Sequence, residues 1–132
     1  EAILGRWISV GNDVAPGLQH RDSILTEFDS AGTWTSIEYT GELGLDRTGI
    51  YEIGEGDGPV YPITILAEPP GQDTLGQGIY RADGGRLQLE VVFRWMNGGD
   101  LFPPTVESGF GSTLADSVET GPYWIQIYGR WP

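Results

Sequence analysis

The chain contains no cysteine and no lysine, and its 132 residues include a single histidine. Without cysteine there is no disulfide framework, no Cys-zinc site, no iron–sulfur cluster and no thiol nucleophile. One histidine, His20, excludes His-rich metal sites and leaves a single candidate for the base of a serine triad. It sits in the polar stretch Gly17-Leu18-Gln19-His20-Arg21-Asp22, with no Gly-x-Ser-x-Gly elbow to match it, and reads as a solvated loop residue. No glycine-rich phosphate cradle leads into a helix, so nucleotide hydrolysis has no support. No apolar run approaches the ~20 residues of a membrane span. The start at Glu1 shows no basic-then-apolar leader, which fits the mature form of an exported protein. Secretion, or a periplasmic or cell-surface location, is the resulting expectation. Helical periodicity is missing too: the best candidate, residues 113–119, would give two turns at most. No catalytic residue, metal site or cofactor is expected.

Positive charge is scarce. Nineteen acidic residues face seven basic ones, all arginine, for a net charge of -12. Such a surface repels phosphate backbones and anionic membranes, so neither nucleic acid nor an acidic bilayer is an expected partner. The excess of acid maintains solubility.

What the chain does have is glycine (21) and proline (9), spread along its whole length. With no linker or low-complexity tail, residues 1–132 read as one domain. The punctuation separates short apolar runs at 3–10, 23–28, 33–40, 49–53, 60–66, 78–82, 86–94 and 123–130. Turn-rich stretches fall between them, among them 29–32, 54–59, 69–73 and 83–85. Leu87, Leu89, Val91 and Phe93 alternate onto one face, which leaves Glu90 facing solvent. Asp83-Gly84-Gly85 signals a hairpin. Residues 96–122 read as one long loop with an extended stretch near 105–110, and loops of that length are usually functional or mobile. Two echoes stand out. Gly49-Ile50-Tyr51 and Gly78-Ile79-Tyr80 suggest two strands built to one recipe, each tyrosine covering the interior or an end. Gly5-Arg6-Trp7 and Gly129-Arg130-Trp131 bracket the chain, suggesting that the first and last strands meet and close the sheet. Eight or so short strands with turns between them point to an all-β barrel or sandwich with one long loop.

Leu4-Gly5-Arg6-Trp7 resembles the Gly-x-Trp signature that opens the first strand of lipocalins and related calycin barrels. Thr48-Gly49-Ile50-Tyr51, Pro62-Ile63-Thr64-Ile65 and Gly78-Ile79-Tyr80-Arg81-Ala82-Asp83-Gly84-Gly85-Arg86-Leu87 are similar to a bacterial lipocalin-like domain family common in planctomycetes. The resemblance covers most of 3–94 and the last strand. It implies the fold expected here, a single antiparallel eight-stranded lipocalin-like barrel with a cavity and one long loop, in which Arg130 lays its guanidinium across the Trp7 indole to close one end beside Gly5. It implies no catalytic residue. Two features depart from the family: no candidate exists for the C-terminal helix that packs on many lipocalin walls, and 96–122 has no counterpart.

Trp34, Tyr39, Phe93, Trp95, Tyr123 and Trp124 lie near strand ends and would suit a pocket for a flat or extended apolar molecule. The leading expectation is therefore non-catalytic binding of a small apolar or amphipathic ligand, in a cavity of a few hundred Å3. The strand carboxylates Glu27, Glu38, Glu52 and Glu90 would matter only if one pointed into an apolar cavity. An isomerase- or cyclase-type barrel enzyme acting by confinement is one alternative. Another is a structural subunit of an extracellular or cell-surface complex. There a homo-oligomer would form through the last strand, whose Trp124 and Tyr128 share one face and whose Ile125 and Ile127 share the other.

Overall fold

The computed structural model describes residues 2–69 and 73–131. Seven strands run up and down in sequence: β1 (Gly5–Val10), β2 (Ser23–Phe28), β3 (Thr33–Thr40), β4 (Leu43–Ile53), β5 (Tyr61–Leu66), β6 (Thr74–Asp83) and β7 (Arg86–Phe93). An excursion follows, with three two-residue strands, β8 (Leu101–Phe102), β9 (Leu114–Ala115) and β10 (Val118–Glu119), paired in the order β10-β9-β8. The last strand, β11 (Gln126–Arg130), inserts between β7 and β1. The result is a closed antiparallel barrel of eight strands. This is the expected architecture.

The seam shows why the terminal tripeptides match. Trp7 pairs with Arg130 and Ile8 with Gly129, so the two Gly-Arg-Trp copies lie antiparallel, side by side. Strand alternation sends Trp7 and Arg130 to one face and Arg6 and Trp131 to the other. Each face then carries its own cation–π contact: Arg130 lies 3.9 Å over the Trp7 ring, and Arg6 lies 5.1 Å from the Trp131 centroid. Trp7 is fully buried, and its Nε1–H donates to the Ile3 carbonyl at 2.8 Å. The Arg130 guanidinium donates to the carbonyls of Ala2, Leu4 and Gly84. Gly5 is required beneath it: its φ is +118°, and a Cβ there would come 2.5 Å from Arg130 Nη1.

Inward positions build the core from residues such as Ile24, Phe28, Ile63, Ile65, Leu87 and Leu89, all buried. The Gly-Ile-Tyr recipe sends both tyrosines to this core. Tyr51 donates to the Asp29 carbonyl at 2.7 Å, and Tyr80 stacks on Tyr61.

Strand boundaries differ from the sequence reading at several ends. β4 begins at Leu43 rather than 49, and β6 at Thr74 rather than 78. The upper β3–β4 hairpin turns at Gly41 and Glu42, and Leu43 to Asp46 are all exposed, so Gly44 and Asp46 are tolerated without an apolar alternation. The last strand is shorter than 123–130. Gly121–Trp124 forms a 3-10 turn with Pro122 near its start, which removes Trp124 and Ile125 from the ladder. The expected turn residues 70–72 lie outside the described residues.

The excursion is the main correction. Residues 113–119 are not helical: β9 and β10 form a tight hairpin, with Asp116 and Ser117 at φ of 51° and 66°. Positive φ at both central positions is the type I′ pattern, and Asp-Ser signals it far more weakly than Asn-Gly. The stretch 105–110 is not extended either, because Gly109 N–H donates to the Thr105 carbonyl at 2.8 Å and closes a turn. Glu90 does point away from the barrel interior, but it does not face solvent. The excursion crosses the outer wall as a strap and buries it completely. Glu90 Oε1 accepts from Gly111 N–H at 2.7 Å, and Oε2 accepts from Thr113 N–H at 3.2 Å and Thr113 Oγ1 at 2.5 Å. Its cross-strand partner Ile79 is also fully buried.

Candidate functional site

The Trp7–Arg130 contact and the β6–β7 turn lie at one barrel end, and the β1–β2 connection lies at the other. There the β1–β2 connection makes two 3-10 turns, Gly11–Asp13 and Pro16–Leu18, and pushes Val14 and Ala15 fully into the interior. Ala15 N–H donates to Gln126 Oε1 at 2.5 Å, and Gln19 Nε2 donates to the Val14 carbonyl. Gly17 lets this loop lean on Trp124, since a Cβ there would lie 2.5 Å from Cζ3 of the indole.

Beside the loop is a column of rings. Trp34 stacks on Phe93 with centroids 5.3 Å apart, and Phe93 stacks on Trp95 at 4.8 Å and 11°. The Arg47 guanidinium closes the column 3.9 Å over the Trp95 ring. Trp34 arrives on the inner face of β3. Phe93 ends β7, Trp95 precedes the 3-10 turn Met96–Gly99, and Arg47 comes from the upper part of β4. Leu43 and Leu45 share Arg47's face by alternation, and they are 78% and 40% exposed. With Trp95, 37% exposed and lying under Arg47, they are three exposed apolar side chains around that arginine.

Charge at the mouth centres on Glu38. Its Oε1 accepts from Arg21 Nε at 3.0 Å, while Oε2 lies 3.9 Å from Arg47 Nε. Arg21 also donates to Thr40 Oγ1 at 3.0 Å. Arg47 Nε is buried and makes no hydrogen bond. Deeper in, Thr26 Oγ1 donates to the Tyr128 hydroxyl at 3.3 Å. Burial pushes Tyr128 up to about 12, with the hydrogen bond from Thr26 opposing the rise. The phenol thus keeps its proton at every ordinary pH.

The internal space between these groups is only about 30 Å3, lined among others by Leu18, Trp34, Ser36, Leu89, Gln126 and Tyr128. That is room for about one or two waters, not a cavity of a few hundred Å3. Trp34, Phe93, Trp95 and Trp124 border this space together. Tyr39 and Tyr123 do not. Tyr39 lies on the outer wall against Gly44, and Tyr123 is half exposed, edge-on to Trp124 at 5.0 Å. Among the strand carboxylates, Glu27 and Glu52 are exposed, and Glu38 alone lines the mouth. His20 is exposed in the β1–β2 loop. Arg47 and Arg21 were not singled out from the sequence. Alternation through Leu43, Leu45 and Arg47 was the available signal, hidden because Gly44 and Asp46 broke the apolar run.

Chemically, the mouth offers stacking surface, two guanidiniums sharing one carboxylate, and a neutral phenol. No group of three metal-ligating side chains occurs among the described residues. Comparison of the chain with family models, curated proteins and solved structures finds no match.

Proposed function

We propose that this chain is a non-catalytic, lipocalin-like barrel that binds a small, flat, apolar or amphipathic molecule at its open end. The observation that carries this reading is the column Trp34–Phe93–Trp95, whose last ring lies under the Arg47 guanidinium and is 37% exposed. Large exposed apolar side chains beside such a face are expected where something docks. The closed barrel and the Trp7–Arg130 cap support the lipocalin-like part of the reading. Because the interior is nearly filled, the ligand rests on the rim and column rather than sinking into the barrel. A barrel enzyme acting by confinement has less support, since an internal space of about 30 Å3 encloses no substrate.

The test is a titration with planar, environment-sensitive dyes, read by dye emission and tryptophan quenching. One saturable site per chain is expected. Trp95→Ala should weaken binding at least about tenfold while lowering stability less than Trp7→Ala, because a partly exposed ring loses fewer packing contacts. If no dye of either charge type binds, the reading is wrong.

A further inference from the structure

Resting on the mouth as the binding site, we propose that its ligand is an aromatic anion, whose ring takes Arg47's place on Trp95 and whose acidic group pairs with Arg47. The argument begins with the arginines. Only seven exist in the chain, and two of them converge on the single carboxylate of Glu38. The trio carries a local charge of +1 on a molecule of net charge -12. At ordinary salt, charges more than about 10 Å away are largely screened, so an anion entering the mouth meets this cation against the nearby exposed carboxylates of Asp22 and Asp46 rather than the full -12.

The two arginines are not equally occupied. Arg21 makes a 3.0 Å bond to Glu38 and another to Thr40. Arg47 approaches Glu38 only to 3.9 Å, and its buried Nε has no hydrogen-bond acceptor. A guanidinium in that state lacks a planar acceptor in its own plane, which a carboxylate or sulfonate supplies with charge-assisted bonds. Meanwhile its flat face occupies the terminal stacking position of the ring column. A ligand ring on Trp95 would restore that stack. Arg47, about a quarter exposed on a flexible stem, would swing aside and present its N–H edge to the ligand's anion. The exposed Leu43 and Leu45 would cover the apolar remainder. A cationic ligand would face Arg47, and a neutral one would leave Arg47 as unsatisfied as before.

Two dyes with one skeleton separate these cases: 8-anilino-1-naphthalenesulfonate carries a sulfonate, and N-phenyl-1-naphthylamine lacks it. Dissociation constants for both are measured by fluorescence on the wild-type chain, on Arg47→Met and on Arg47→Lys, with circular dichroism confirming that each is folded. The sulfonate dye is expected to bind at least about tenfold more tightly than the neutral one, against the repulsion of the acidic surface. Arg47→Met should erase that preference without weakening the neutral dye, and Arg47→Lys should keep part of it. Arg47→Lys also serves as the decisive variant if Arg47→Met does not fold. Equal affinities in the wild type overturn the proposal and leave binding at the mouth standing. So does a sulfonate preference that survives in Arg47→Met, since the anion then sits elsewhere. Failure of both dyes removes the binding site itself.

Discussion

Replacing Glu90 by glutamine isolates the bond that fastens the strap to the barrel wall. The glutamate carboxylate accepts from Gly111 N–H, Thr113 N–H and Thr113 Oγ1, and it is fully buried. In Glu90→Gln one oxygen becomes an amide NH2. Wherever that group is placed, it faces at least one backbone N–H: Gly111's on one side or Thr113's on the other. The threonine hydroxyl can rotate and turn from donor to acceptor, but a backbone amide cannot. One buried donor is therefore orphaned, at a cost of about 1–3 kcal/mol. Removing a buried charge works in the opposite direction, because an ionised carboxylate is costly to desolvate. Three converging donors should outweigh that gain, so the variant is expected to lose about 1–2 kcal/mol net. For a domain of this size that is a fall of about 4–8 °C in Tm. Glu90→Leu, which orphans all three donors, should lose more. The assay is thermal unfolding by circular dichroism, with amide exchange read at Gly111 and Thr113. Exchange at those two amides should accelerate before the barrel strands are affected. A Glu90→Gln protein that melts at or above the wild type, with both amides still protected, would refute the reasoning.

Trp7→Ala should cost about 3–5 kcal/mol by opening a cavity under the cap, whereas Arg130→Lys should cost about 1 kcal/mol, as read by urea unfolding. Comparable losses would mean that the guanidinium, not the indole, holds the end shut. Self-repulsion at net charge -12 should make Tm rise from low to moderate NaCl, and a flat or falling curve would mean that the charges are locally compensated. Tyr128, raised to about 12 when folded and titrating near 10 when unfolded, contributes stability that is complete below pH 10. That contribution, about 3 kcal/mol, should disappear as pH rises from 10 to 12. Tyr128→Phe should flatten this part of the pH–stability profile, and an unchanged profile would place the alkaline sensitivity elsewhere.

The barrel was legible because its signals are local. Turn residues mark strand ends, alternation marks the inner face, and the matched tripeptides mark the seam. What escaped notice depends on tertiary cover. Glu90 looked like a solvent-facing strand residue because nothing in its own strand reveals that Gly111 and Thr113 will lie on top of it. The strap's tight hairpin was invisible because Asp116 and Ser117 adopt positive φ without glycine. At the mouth, aromatic content drew attention to Trp34, Phe93, Trp95 and Trp124, which do meet there. It drew equal attention to Tyr39, because an aromatic residue on an outer wall looks no different in sequence from one on the inner wall. The partial filling of the interior also had no sequence signal, since it depends on how large rings interlock across the barrel.

The paired Gly-Arg-Trp seam bears on the order in which this protein assembles. Arg130 bonds to the Leu4 carbonyl, 126 positions away along the chain, while the other barrel strands find partners nearby. During synthesis β1 must wait beside β2 with its other edge open until β11 leaves the ribosome. Ends so distant in sequence come together only after the intervening hairpins have formed and shortened the loop between them, so closure comes last. A contact formed after the rate-limiting barrier slows opening without speeding formation. The clasp is then a latch on lifetime: loosening Trp7 or Arg130 should shorten how long the finished barrel stays shut and leave the pace of its construction unchanged.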